Sequence, residues 1–146
     1  MRNLHGIISI ILAFSAFGLG AIQISFSSVL TSVVYLLIIF IFVLITAKNY
    51  CAKCNSREYC NHYIFGKISV FLTEPDSSEY KMSDYLSVGV TLISVILFPQ
   101  FWLFENPVLL LIFWFLLIVA GLEIYFYVCN RCINKKCAIC GKLKEI

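Results

Sequence analysis

From Gly6 to Ala47 the chain carries no charged side chain, and from Tyr85 to Val128 it carries only Glu105 and Glu123. A polar segment, residues 48–84, separates the two apolar blocks, and a basic tail, residues 129–146, follows the second. A soluble core has no use for apolar runs of this length, whereas a helix that crosses a bilayer needs about 20 such residues. The pattern therefore predicts four spanning helices, over 6–23, 29–47, 86–104 and 108–128. The short turns at Ile24 to Ser28 and at Glu105 to Pro107 force each pair into an antiparallel hairpin. Pro107 suits the first position of the fourth helix, where no backbone donor is needed. The fold class is thus an all-α integral membrane protein with hairpins at 1–47 and 85–128.

Composition agrees with that reading: 61% of residues are hydrophobic and 13% charged, with a mean hydropathy of +0.93. Trp102, Tyr50, Tyr85, Tyr125 and Tyr127 fall near helix ends, where amphipathic rings favour the interface. Charge then sets orientation. Every lysine and arginine, from Arg2 through Lys48, Lys53, Arg57, Lys67 and Lys81 to Arg131, Lys135, Lys136, Lys142 and Lys144, falls on one side of a four-span arrangement. The positive-inside rule places both termini, the middle segment and the tail in the cytoplasm of a plasma or inner membrane. A net charge of +3 reflects this asymmetry and does not suggest nucleic acid as a partner. A cleaved signal peptide ending near Ala21 is a rival reading of the first span, and it would leave the later segments on the same side.

All seven cysteines lie in two windows, each directly after a hairpin. The first holds Cys51, Cys54, Cys60 and, two residues on, His62; the second holds Cys129, Cys132, Cys137 and Cys140. A Cys-x-x-Cys turn aims two sulfurs at one point, and two further ligands close a tetrahedron. The windows therefore predict two cytoplasmic metal lobes, with zinc preferred in both and an iron–sulfur cluster as the alternative. The histidine favours zinc, and no proline follows a cysteine as it does in the bacterial ferredoxin run. Lysines and arginines between the ligands are expected to offset thiolate charge. One site shared by both windows is a further arrangement, on the expectation that the second and fourth helix ends adjoin. Thiol oxidation linked to quinone fits poorly, because those cysteines would face the reducing cytosol.

Cys51 and Cys129 are 78 positions apart, as are Cys54 and Cys132, which suggests two copies of one unit. Because each unit has two spans, both copies point the same way, as a parallel tandem repeat. Between them, residues 68–72 are apolar but too short to span, and are expected to rest on the membrane surface or to cover the metal lobe. Asp76 to Glu79, after Pro75, has capping-box character and is expected to start the helix leading into the third span.

Glu123 is the only acid well inside a span, and an intramembrane carboxylate is a functional candidate by default. Its plain reading is a side chain that reaches to the cytoplasmic interface beside Lys48; His5 reads as an interfacial residue. Ala16 and Gly20 have the spacing of a close helix contact, expected within the chain, and Pro99 is expected to kink the third helix. No nucleotide loop, catalytic triad or zinc-protease helix is present, so an enzyme built from this chain alone is not expected. The function expected is a non-enzymatic structural or partner-binding module, joined to the lipid bilayer and to a cytoplasmic protein partner, with no oligomeric state specified. An iron–sulfur protein passing electrons to the quinone pool is the alternative, and a metal sensor or transporter the second.

Overall fold

The computed structural model describes residues 4–54, 60, 63–76 and 78–130. Among them every regular element is helical, and four stretches are long and apolar enough to cross a membrane: Leu4–Ser27, Val29–Cys51, Met82–Leu103 and Pro107–Cys129. The first hairpin joins α1 (Leu4–Ser27) to α2 (Val29–Ile45) through a single extended residue, Ser28. Its Oγ accepts a hydrogen bond from the Thr31 amide at 3.3 Å, satisfying one of the donors that a helix start leaves open. Asn106 does the same before α6 (Pro107–Glu123), its Oδ1 accepting from the Leu109 amide at 3.3 Å. The first turn is therefore tighter than the sequence suggests, because α1 runs on to Ser27.

The third span is two helices, α4 (Met82–Leu97) and α5 (Gln100–Leu103), with Pro99 at the joint. Proline has no N–H to give the carbonyl four residues back, and in a bilayer an unpaired carbonyl costs several kcal/mol. Here the Tyr35 hydroxyl donates to the Val95 carbonyl at 3.0 Å, and Gln100 Nε2 donates to the Ile96 carbonyl at 2.8 Å. Gln100 Oε1 in turn accepts from Trp114 Nε1 at 3.2 Å. Gly20 lets α1 approach this joint: a Cβ there would stand 3.0 Å from the Pro99 Cβ. The kink expected at Pro99 is thus a break with its own set of partners.

The fourth element starts later than expected. Asp76, Ser78 and Glu79 are not helical; the Asp76 carboxylate accepts from the amide and hydroxyl of Ser78 instead, at 2.8 and 2.9 Å. These bonds hold the Asp76 carboxyl below its ordinary range, the backbone bond first. The helix begins at Met82, where Asp84 Oδ2 accepts from the Lys81 amide at 2.9 Å. Side-chain bonds within the turn outcompete the helix, as short polar residues often do.

At the other end of each hairpin the helix widens. α2 continues as a π-helix, π1 (Thr46–Cys51), and α6 as π2 (Ile124–Cys129). α1 is central: it packs on α2, on α6, on α5 and on π2, while α4 packs on α2 and π1. The core joins Ala16, Phe17, Ala21 and Ile24 of α1 to Tyr35, Ile39, Val95, Leu103 and Phe113. The small-residue stripe of α1 therefore serves contacts within the chain. Large apolar side chains such as Leu37, Phe40, Leu111 and Phe115 face outward, on the surface a bilayer covers.

Candidate functional site

Each cysteine window begins on the last residue of a π-helix. Such one-turn widenings recur at functional sites, where they re-aim the side chains that follow. At the first window the Cys54 amide donates to the Cys51 carbonyl at 3.1 Å, closing the Cys-x-x-Cys turn. That turn is held from outside. The Ala52 carbonyl accepts from the Asp76 amide at 3.1 Å, and the Tyr50 carbonyl accepts from the Tyr80 hydroxyl at 3.2 Å. Tyr50, Tyr80 and Tyr85 gather around this point, with ring centroids 5.1 to 6.0 Å apart. Asn49 Nδ2 donates to Ser87 Oγ at 2.9 Å.

Lys53, between the two cysteines, pairs with Asp84 of α4. Its Nζ is 2.5 Å from Asp84 Oδ2, and both side chains are largely shielded from solvent. Asp84 thus serves the start of α4 and the cysteine turn together. This pairing is a role for Lys53 that the cysteine spacing does not indicate.

Cys51, Cys54 and Cys60 are half-buried and not disulfide-bonded. Among the described residues no three His, Cys, Asp or Glu side chains converge as a metal-holding group, and these three thiols are among the residues described. His62 lies outside them. At the second window Cys129 is buried at the end of π2 and is disulfide-bonded; Cys132, Cys137 and Cys140 lie outside the described residues. A disulfide sulfur has no thiolate to offer, so metal-bound and disulfide forms of Cys129 exclude each other. The two windows also start in different surroundings: π1 packs on α3 (Tyr63–Leu72) and α4, and π2 on α1. No extensive contact joins α2 to α6 or π1 to π2 among the described residues.

Glu123 has a partner that the sequence does not single out. Its Oε2 lies 2.9 Å from Nδ1 of His5, at the start of α1, while Lys48 is exposed. The His5 ring stacks on Tyr127 of π2, with centroids 4.2 Å apart and planes within 6°. α1 therefore grips π2 through His5, much as α4 grips π1 through Ser87 on Asn49 and the turn after it through Asp84 on Lys53. Tyr35, Gln100 and the Lys53–Asp84 pair are the structural polar residues that sequence reasoning misses. Pro99 is the signal for the first two, since a proline within a span calls for donors nearby. Compared with protein families, curated proteins and solved structures, the chain matches none.

Proposed function

We propose that the chain is a small polytopic membrane protein, a parallel tandem repeat whose two cytoplasmic cysteine windows bind zinc and act as non-enzymatic structural or partner-binding modules. The observation that carries this reading is a shared register of 78 positions. It relates the caps Ser28 and Asn106. It also relates α2 to α6 at both ends, Val29 with Pro107 and Ile45 with Glu123, and π1 to π2 over their whole length.

In sequence the same step carries Cys51 to Cys129, Cys54 to Cys132 and His62 to Cys140, and it carries Cys60 to the position after Cys137. His62 thereby takes the place of the fourth thiolate. One window offers three thiolates and an imidazole, the other four thiolates, and both sets are familiar for tetrahedral zinc. Sites of this kind seldom preform without the ion, because metal binding and local folding are one event. Zinc would supply the lobes with folding energy that loops of this length cannot draw from a core. Lysines and arginines confined to the cysteine-bearing side support a cytoplasmic location for both lobes.

The test is metal, acid-labile sulfide and thiol content of protein purified without oxygen and under reductant. About two zinc per chain without sulfide is the expected result. Cys132→Ser should then lose one zinc and expose the tail to protease without unfolding the bundle. Iron with matching sulfide would replace this reading by quinone-linked electron transfer. Absence of metal, with thiols that cycle to disulfides, would replace it by thiol exchange, to which the Cys129 disulfide points.

A further inference from the structure

α3 lies outside the four spans, yet the apolar side chains of its last turn, Val70, Phe71 and Leu72, point away from the protein. Its inward positions are small, Gly66 and Ser69, both buried. Phe71, on the opposite side of the helix, is 88% exposed, and Val70 and Leu72 flank it at 44% and 50%. A helix meant for water would carry the reverse pattern. The Thr73 hydroxyl donates to the Ser69 carbonyl at 2.7 Å, so the inward face satisfies its own polar groups.

The position of α3 in the fold says what covers the outer face. α3 packs on π1 and on α1, at the end of the bundle where α1 and α4 begin. There the outward surfaces of the spans are apolar too, at Leu4, Met82 and Leu86, so the face of α3 continues the belt of the spanning helices. The Tyr50, Tyr80 and Tyr85 rings gather at the same end, and amphipathic rings of this kind favour a membrane interface. Exposed Lys67 precedes Phe71 by one helical turn and has the reach to place its ammonium among headgroups.

We propose that α3 is an interfacial helix seated in the headgroup–acyl boundary of the membrane that holds the bundle, with Phe71 inserted among the acyl chains. Its apolar side enters lipid while its small-residue side lies against π1, so the first cysteine window is covered from the membrane side. Interfacial helices of this kind sink roughly 5–10 Å into the boundary.

The experiment places a photoreactive side chain in the full-length protein in its own membranes: Phe71→p-benzoylphenylalanine, with Phe115→p-benzoylphenylalanine as the lipid-facing reference and Ser78→p-benzoylphenylalanine as the water-facing one. After irradiation, intact mass should rise by one phospholipid at position 71, with a yield comparable to position 115 and well above position 78. A cross-link from position 71 to another polypeptide, or to a second copy of this chain, overturns the proposal. So does a lipid yield no greater than that of position 78. Phe71 is exposed, so the substitution leaves the fold in place.

Discussion

A polar side chain in an apolar helix needs a hydrogen-bond partner, and Glu123 has one in His5, 118 positions away in sequence. The hydrogen bond lies near the end of the bundle, with both side chains partly exposed, so its worth is that of an interfacial contact and not of a buried ion pair. Stacking on Tyr127 fixes the imidazole and restricts it to one side of π2. A double-mutant cycle with His5→Ala and Glu123→Gln should give a coupling of about 1 kcal/mol in reversible unfolding from detergent or bicelles. A coupling near zero would mean that the two side chains are neighbours without an energetic tie. Sequence singles out Glu123 because it is alone in its apolar run. It does not single out His5, because that choice depends on which helix lies beside α6, and hydropathy carries no lateral order.

At the scale of elements, the break at Pro99 organises three helices. α1 supplies Gly20 as a space, α2 supplies Tyr35 as a donor, and α4 supplies the freed Val95 carbonyl. Tyr35→Phe should cost about 1–2 kcal/mol, because it leaves a carbonyl unpaired inside the bundle. In a Pro99→Ala background the backbone amide restored at that position can return to the Val95 carbonyl, and the same Tyr35→Phe change should then cost much less. Equal costs in both backgrounds would show that Tyr35 contributes through packing, for instance its stacking on Phe98, and not through the hydrogen bond. The spans themselves were legible to within a few residues, since each follows from an unbroken apolar run. The helix start at Met82 was not. Asp76 and Ser78 have cap chemistry, but bonding within a turn and starting a helix use the same atoms, and only the backbone path decides between them.

At the scale of the molecule, each hairpin's opening helix holds the other hairpin's closing end: α1 on π2, α4 on π1. That exchange gives the described first residues of the two cysteine windows, Cys51 and Cys129, different neighbours. Clustering of thiols could be read in the sequence because ligand spacing is local. The different surroundings of Cys51 and Cys129 could not, because they follow from how the hairpins dock. Even so, both windows must face one compartment if four spans cross the bilayer, and this can be measured. In sealed vesicles stripped of metal, a membrane-impermeant maleimide should reach Cys54 and Cys60 from the cytoplasmic side alone, with peptide mapping to identify each thiol. A cysteine introduced by Glu105→Cys, on the exposed turn before α6, should react from the opposite side alone. Reaction of Cys54 and of the residue-105 thiol from the same side would remove the four-span arrangement. Reaction of Cys54 from the non-cytoplasmic side would keep the spans but reverse them. The thiols would then stand in an oxidising compartment, where disulfide exchange is the stronger expectation and zinc the weaker one.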